Sequence, residues 1–276
     1  MMAWVTLLTQ PDYLIGVRTL ARSLKLSESR YPLVVMVTAS IDSGIRAQLE
    51  QDGCRIKEVA SLHPGSHLQD SYANARFAEV WTKLAVWTLT DYTRVAFLDA
   101  DMLVTRNMDE LFDLPLKAGT IAACHACRCN PNGIASYPAD WTPENCFYTV
   151  CREENHVEQP DHVDNYLNGG FLLLTPDRRV FDDMMVQLAA LDDLSGYLFA
   201  EQDFLNHFYR RRWQPLPWIY NALKTLPHQH PQIWDTGRAK NIHFIIDKPW
   251  EKYPDPTDRY YMLNRKWWAV AEGLIS

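Results

Sequence analysis

Two aspartates at the end of an apolar stretch are the first residues whose types and spacing suggest chemistry. Asp99 and Asp101 follow residues 95–98, an apolar run with the composition of a buried strand. Side chains two positions apart in an extended segment point to the same face, so both carboxylates can reach one ion. Clustered carboxylates repel each other unless a cation lies between them. Oxygen ligands of this kind suit Mg²⁺ or Mn²⁺ bound to a substrate phosphate, although a solvated turn after a strand would show the same pattern.

Two residues late in the chain could complete such a site. His243 lies in the strand-like sequence NIHFIIDKPW, and an imidazole added to two carboxylates favours Mn²⁺ over Mg²⁺. Lys248 follows in the same stretch, and a lysine beside a metal site is suited to binding phosphate. Taken alone, a core histidine and a surface lysine are the simpler interpretations. Taken with the aspartates, they describe an ion site that could neutralise a diphosphate leaving group.

The elements that would position these residues alternate between strand and helix. In the first third of the chain the hydrophobic pattern predicts strands over 3–9, 32–38, 54–60 and 94–100, with helices over 11–27, 43–53 and 77–92. Farther on it predicts a strand over 166–177, helices over 178–191 and 200–209, and a strand-like segment over 239–247. This alternation is typical of right-handed βαβ units, so the predicted fold class is α/β with a mostly parallel sheet. Such sheets bind ligands at the carboxyl ends of their strands, where the two aspartates lie.

Residues 118–165 interrupt this alternation. The stretch is rich in Cys, Pro and Asn and has few apolar runs, so we interpret it as an irregular insertion over the active-site edge.

The chain of 276 residues is otherwise predicted to form a single domain, 1–276. It contains neither the G-x-G-x-x-G fingerprint nor a Walker A loop, so a bound phosphate would have to be held in another way.

Five of the six cysteines lie within residues 124–151, in the sequences CHACRC and CFYTVC, while Cys54 stands alone. Three interpretations stay open. The thiols could be free in a reducing compartment, or they could form a local zinc site that uses the Cys-x-x-Cys pair Cys124 and Cys127. The second pair, Cys146 and Cys151, has a wider spacing than a zinc ribbon would use. A disulfide or a redox role is the third interpretation.

The composition limits the classes of function. With 47% hydrophobic and 22% charged residues the chain can bury a globular core. A net charge of −7 argues against nucleic acid as a partner, because phosphate backbones require a cationic surface. The start of the chain has no basic leader, and no later run reaches the roughly 18 apolar residues of a membrane span. We therefore predict a cytoplasmic protein without a membrane span. The sequence leaves the oligomeric state open, with a homodimer as one possibility.

Five stretches, in this order, resemble glycosyltransferase family 8, which includes glycogenin and the galactinol synthases. They are WVTLLTQPDYLIGVRTLARSL (4–24), WTKLAVWTLTDYTRVAFLDADMLVTRNMDELFDLP (81–115), YLNGGFLLLTP (166–176), FAEQDFLNHFY (199–209) and IHFIIDKPW (242–250). Together they extend over the chain from end to end. The resemblance implies a GT-A fold, in which a Rossmann-like, mostly parallel sheet with helices on both faces binds a UDP-sugar.

The resemblance also implies roles for individual residues. Asp99, Asp101 and His243 would ligate Mn²⁺, with Mg²⁺ as an alternative, and Lys248 would hold the diphosphate. The remaining donor positions are Leu8, Thr9 and Tyr13 at the uridine, Arg76 and Lys83 near the nucleotide and sugar, Ala100 between the two aspartates, and Asn168 and Gly169 at the sugar. Glu201 and Gln202 would contact the donor sugar and, with Lys248, act in catalysis. At the start of the EQD run glycogenin-like chains carry an aspartate, whereas this chain carries Glu201.

The reaction that the resemblance implies is retaining transfer of a hexose from UDP-glucose or UDP-galactose to a hydroxyl acceptor. Glycogenin glucosylates one of its own tyrosines in the segment that corresponds to residues 221–242, and that segment contains no tyrosine here. We therefore expect a separate acceptor, a polyol or a saccharide, as in the plant or fungal galactinol synthase type. The alternatives are a glycogenin-like glucosyltransferase and a catalytically weak protein that binds nucleotide sugars or acts as a scaffold.

Overall fold

Two hydrogen-bonded sheets organise the part of the chain that the structure describes. In a computed structural model, residues 1–64, 80–150 and 163–274 are described. The strands are β1 (Met2–Leu8), β2 (Leu33–Val37), β3 (Arg55–Glu58), β4 (Arg94–Leu98), β5 (Met102–Val104), β6 (Ile121–His125), β7 (Leu167–Leu174), β8 (Trp213–Leu216), β9 (Ala222–Leu223) and β10 (Asn241–His243). The α-helices are α1 (Leu14–Leu26), α2 (Ser43–Gln51), α3 (Phe147–Val150), α4 (Arg178–Ala189), α5 (Glu201–Phe208), α6 (Leu226–Gln229) and α7 (Tyr261–Ala271).

The central sheet has seven strands in the order β3-β2-β1-β4-β7-β6-β8. Strands β1, β2, β3 and β4 pair in parallel, as do β6 and β8, while β7 runs antiparallel to both β4 and β6. The sequence LVVMV of β2 is buried at all five positions, as expected for a strand that is covered on both faces. The predicted α/β class with a mostly parallel sheet is confirmed.

Helices cover both faces of this sheet. On one face α1 presents Val17, Leu20, Ala21 and Leu24, whose spacing follows the helical period, to the sheet, and α2 packs beside it. On the other face lie α4, α5 and the 3₁₀-helix Val80–Thr88. The predicted arrangement of helices on both faces is therefore confirmed.

The second sheet is small and lies at the end of β4. It has the order β5-β10-β9, in which β10 is antiparallel to β5 and parallel to β9. The register places His243 opposite Met102, directly after the two aspartates. This pairing joins parts of the chain that are about 140 positions apart in sequence, and so defines one end of the site.

The structure contains several elements that the sequence did not predict, among them β5, β9 and α7, and three differences have a clear physical reason. Within the predicted helix 77–92, the described residues Val80–Thr88 form a 3₁₀-helix that is buried along its whole length from Trp81 to Trp87. Strand β6 lies within the range 118–165, so that range is not irregular throughout. The sequence of β6, IAACH, has one β-branched residue and was for that reason not predicted as a strand. Strand β8 contains Pro215, which is tolerated because β8 is the last strand of the sheet.

None of the helices in the described part of the chain has the length and hydrophobicity that crossing a membrane requires.

Truncation of Met184 tests how α4 packs on the sheet. Met184 is fully buried, whereas Val186 on the same helix is 70% exposed. We expect Met184→Ala to lower the free energy of unfolding by about 2–5 kcal/mol, because it opens a cavity in the core. The control Val186→Ala should change it by less than about 0.5 kcal/mol. Urea unfolding followed by circular dichroism measures both, and equal midpoints for the two variants would contradict the packing described here.

Candidate active site

Three side chains that the sequence predicted to be metal ligands meet at the end of β4. Ligand atoms of Asp99, Asp101 and His243 all lie within 4.8 Å of one another. The Nε2 atom of His243 is 3.3 Å from Asp101 Oδ1 and 3.8 Å from Asp99 Oδ2. The pairing of β10 with β5 brings the imidazole to the two carboxylates. Two carboxylates and one imidazole form a donor set that suits a divalent cation such as Mn²⁺ or Mg²⁺.

One atom of this group lacks a partner within the described protein. Asp101 Oδ1 is buried and accepts no hydrogen bond from the residues that the structure describes. Leaving a buried carboxylate oxygen without a partner is unfavourable by about 1–3 kcal/mol or more. A cation between Asp101, Asp99 and His243 would satisfy this oxygen, so the residues present fit a bound metal.

A chain of hydrogen bonds determines which nitrogen of His243 carries the proton. The backbone N–H of Gly170 donates to Asn168 Oδ1 at 3.0 Å, so the atom that contacts it must be the amide oxygen. Asn221 Nδ2 donates to the same oxygen at 2.8 Å, which leaves Asn221 Oδ1 facing His243 Nδ1 at 2.9 Å. Because Asn221 Oδ1 can only accept, Nδ1 carries the hydrogen. The Nε2 atom then carries a lone pair that is available to a cation, which is the tautomer that a metal-ligating histidine requires.

Two glycines allow the backbone to approach the metal group closely. A Cβ atom on Gly170 would lie 2.4 Å from His243 Cε1 and 2.9 Å from Asp99 Oδ2. A Cβ atom on Gly16, in α1, would lie 2.7 Å from the carbonyl oxygen of Ala100. Real Cβ atoms do not approach other heavy atoms this closely, so both positions require glycine for space.

Lys248 lies on the opposite side of Asp101 from the histidine, and its Nζ donates to Asp101 Oδ2. Burial alone would raise the pKa of Asp101, but the Lys248 charge outweighs it and the pKa lies well below the ordinary value. Burial lowers the pKa of Lys248, but Asp101 more than compensates, so this pKa is raised. Between His243 and Lys248 the chain turns at Ile246, whose φ of 70° is strained for a β-branched residue.

A second lysine links the metal group to the start of α5. Lys83 Nζ lies 3.0 Å from Asp99 Oδ1 and 2.7 Å from Glu201 Oε1, and donates to the Gly169 carbonyl at 3.2 Å. Burial lowers the pKa of Lys83, but Asp99 and Glu201 raise it above the ordinary value overall. For Glu201, burial raises the pKa more than Lys83 lowers it. Lys83 therefore stays charged and holds Glu201 in place.

Gln202 is fixed beside Glu201 by bonds at both ends of its amide. The Gly169 N–H donates to Gln202 Oε1 at 3.0 Å, and Gln202 Nε2 donates to the Tyr166 hydroxyl at 3.2 Å. Ala200, which precedes α5, adopts a φ of 45° and turns the chain into the helix. Strained backbone of this kind often lies at functional sites, and here it directs two polar side chains into one cavity.

A cavity of ≈ 1020 Å³ adjoins these groups. Its wall includes most of the positions that the sequence predicted: Thr9, Tyr13, Lys83, Asp99, Ala100, Asp101, Asn168, Glu201, Gln202, His243 and Lys248. Gly169 reaches the site through its bonds to Gln202 and Lys83. The side chain of Leu8 is instead fully buried in the core, and Leu7 lines the cavity. Arg76 lies outside the described residues.

Sequence reasoning missed Asn221, Gly170 and Trp250. Trp250 lines the cavity and meets the Tyr13 ring edge-on, with 5.2 Å between ring centroids. The glycine pair in the strand sequence LNGGFLLL was a usable signal, because glycine inside a strand often marks a close backbone approach. Asn221 gave no local signal, since its role depends on the pairing of β9 with β10.

The chain is similar to known proteins over most of its length. The chain matches the model of the family described as Glycosyl transferase family 8 over residues 4–253. Galactinol synthase 1 of Solanum lycopersicum is 31% identical over 276 residues, with 97% of this chain and 81% of the relative covered.

Solved structures share the fold at low sequence identity. The glycosyltransferase GlyE in Streptococcus pneumoniae TIGR4 superposes with a TM-score of 0.66 at 17% identity, covering 100% of this chain and 62% of that protein. The galactosyltransferase LgtC, in complex with donor and acceptor sugar analogues, superposes with a TM-score of 0.68 at 16% identity. The match covers 100% of this chain and 97% of that protein.

Removal of the Asn221 amide tests the orientation of His243. We expect Asn221→Ala to weaken Mn²⁺ binding about 10–100-fold, because Nδ1 loses its acceptor and the imidazole its fixed tautomer. Isothermal titration with Mn²⁺ measures the affinity, and a thermal melt verifies folding. The control is Asn107→Ala, which also removes an amide that is hydrogen-bonded at both ends. Asn107 Nδ2 donates to the Ser27 carbonyl, and Asn107 Oδ1 accepts from the Asp109 N–H. Equal Mn²⁺ affinity in the two variants would contradict the proposed role of Asn221.

Proposed function

The chain belongs to glycosyltransferase family 8 and is a hexosyltransferase with a GT-A fold, and from this premise we propose its reaction. It transfers a hexose from UDP-glucose or UDP-galactose to a hydroxyl group of a separate polyol or saccharide, with retention of the anomeric configuration. The observation that carries the proposal is the convergence of Asp99, Asp101 and His243 beside Lys248 at the wall of one large cavity.

Asp99, Asp101 and His243 would hold the cation, and the mixed oxygen and nitrogen donor set favours Mn²⁺ over Mg²⁺. When bound, the cation neutralises the charge that develops on the diphosphate leaving group. Lys248 adds a second positive charge next to the cation site, through its contact with Asp101. Its Nζ is already within hydrogen-bond distance of Asp101, so it can pass from that carboxylate to a phosphate oxygen with little movement.

The sugar would lie between the cation and the start of α5. Lys83 positions Glu201 there, and Gly169 and Tyr166 position the Gln202 amide, so both polar side chains are fixed before the donor binds. As the bond from the sugar C1 atom to the diphosphate oxygen breaks, the acceptor hydroxyl attacks from the same face. Its proton passes to the leaving phosphate oxygen. Glu201 and Gln202 bind and orient the sugar in this scheme.

The remaining donor contacts come from the cavity wall. Thr9, Tyr13 and Ala100 would contact the nucleotide, with Tyr13 held against the Trp250 ring. Leu8 could contribute through its backbone only, because its side chain points into the core. Asn168 serves two roles, since it lines the cavity and supports Asn221.

The relatives favour a polyol acceptor, because the chain is similar to galactinol synthases over 97% of its length. The alternatives are a glycogenin-like self-glucosylating enzyme and a catalytically weak nucleotide-sugar-binding or scaffold protein. Three points stay predictions. Residues 1–276 are predicted to form a single domain, the chain is predicted to be cytoplasmic, and a homodimer is its possible assembly.

Loss of Asp101 tests the catalytic proposal. We expect the wild-type chain to release UDP from UDP-glucose or UDP-galactose in the presence of Mn²⁺, and a polyol such as myo-inositol to increase the rate. Asp101→Ala should reduce this activity to background, because the variant loses a metal ligand and the partner of Lys248. A coupled assay for UDP release, with UDP-N-acetylglucosamine as a third donor, measures the rates.

The control for that experiment is Asp113→Ala, which removes an exposed aspartate outside the cavity. Its turnover should equal that of the wild-type chain. Turnover of Asp101→Ala at the wild-type level would exclude the metal assignment. A wild-type chain that releases no UDP with any donor or acceptor would favour the binding or scaffold alternative.

Intact-mass spectrometry separates transfer to another molecule from self-glycosylation. Because residues 221–242 contain no tyrosine, we expect the mass of the chain to stay unchanged after incubation with UDP-glucose and Mn²⁺. A ladder of added hexoses would instead support the glycogenin-like alternative. Incubation of Asp101→Ala under the same conditions is the control for non-enzymatic modification.

A further inference from the structure

Four buried side chains converge at a second place, distinct from the three metal-ligand candidates of the active site. They are Cys127, Cys129, Cys146 and His230, and their ligand atoms all lie within 4.8 Å of one another. His230 Nε2 is 3.4 Å from Cys127 Sγ and 3.3 Å from Cys129 Sγ. It is 3.6 Å from Cys146 Sγ, and the sulfurs of Cys146 and Cys127 are 3.9 Å apart.

Hydrogen bonds alone do not account for this convergence. A neutral imidazole nitrogen without a proton has one lone pair and accepts one S–H donor, but three sulfurs surround Nε2 at nearly equal distances. A disulfide does not account for it either, since none of the three cysteines is bonded to another. A single cation at the centre of the group would contact all four atoms at once.

The distances match a tetrahedral zinc site. With Zn–S near 2.3 Å and Zn–N near 2.0–2.1 Å, tetrahedral geometry places the sulfurs about 3.8 Å apart and each about 3.6 Å from the nitrogen. The observed separations are 3.9 Å and 3.3–3.6 Å. Three thiolates and an imidazole are soft ligands that select zinc, in contrast to the oxygen-rich group at Asp99 and Asp101.

We propose that Cys127, Cys129, Cys146 and His230 bind one Zn²⁺ in a closed, four-coordinate structural site. All four ligands come from the protein and all four are buried, so no position is left open for a substrate. The pair used here is Cys-x-Cys rather than the Cys-x-x-Cys pair that the sequence suggested. Cys124 is excluded, because its Sγ donates to the Pro217 carbonyl at 3.2 Å. Cys151 lies outside the described residues.

The ligands join three separate parts of the chain. Cys127 and Cys129 follow β6, Cys146 precedes α3, and His230 follows α6, up to 103 positions away in sequence. The loop between Cys129 and Cys146 forms one wall of the large cavity, through Pro131, Ile134, Ser136, Tyr137 and Trp141. A zinc ion would therefore fix this wall, which has little regular secondary structure of its own.

Metal analysis of the full chain, purified without chelators, tests the proposal. We expect one zinc per chain in the wild type. The zinc content of Cys146→Ala and of His230→Ala should be at least tenfold lower. Cys54→Ala, which removes a buried thiol elsewhere in the chain, should keep the full zinc content. Because the variants could fail to fold, the wild-type chain is also titrated with a mercurial reagent, which should release one zinc as its thiols react.

Cobalt substitution identifies the ligands independently of the variants. The Co²⁺ form should show thiolate-to-metal charge-transfer bands, which the Asp99, Asp101 and His243 group cannot produce because it has no sulfur. A wild-type chain with fully reduced thiols, no zinc and no such bands would overturn the proposal. A disulfide among these cysteines would also overturn it. The same holds if Asp101→Ala loses the zinc while Cys146→Ala retains it.

Discussion

The antiparallel pairing of β10 with β5 is the interaction on which the candidate active site depends. Strand β5 begins one residue after Asp101, and the register places His243 opposite Met102. The backbone N–H of Phe244 also donates to the Asp101 carbonyl at 3.0 Å, which fixes the two chain segments beside the carboxylate. The metal group is therefore built by backbone hydrogen bonds, and the side chains need only adopt suitable rotamers.

The charges of the site indicate why a cation and a phosphate ligand belong together. Three carboxylates, Asp99, Asp101 and Glu201, face two lysines, Lys83 and Lys248, and all five lie at the wall of one cavity. The group therefore has a net charge of −1 when both lysines are charged and all three carboxylic acids are ionised. A divalent cation changes the balance to one positive charge, which an anionic diphosphate can offset. Buried charges of this kind are stable only as a complete set.

Local patterns predicted part of this architecture, and long-range pairing determined the rest. The aspartates, β1 to β4 and α1 could be predicted because their hydrophobic periodicity and position in the chain carry the information. The partnership of Asp101 with Lys248 was suggested by residue type and supported by the family resemblance, because no local pattern links residues that are 147 positions apart. Asn221 could not be predicted, because a polar residue gains its role only after β9 pairs beside β10. Strand β6 was missed because Ala122 and Ala123 pack against neighbouring strands without the β-branched side chains that mark a buried strand.

One segment of the chain contributes to both candidate metal sites. Residues 221–243 begin with Asn221, which orients His243, and end with His243 itself, while His230 between them faces the three thiols. In chains that resemble glycogenin the corresponding segment carries the tyrosine that accepts glucose. Here it carries the imidazole of the proposed zinc site instead, and the short elements β9 and α6 connect that imidazole to the active site. A segment held at both ends and in its middle is poorly suited to act as a mobile acceptor, which agrees with transfer to a separate molecule.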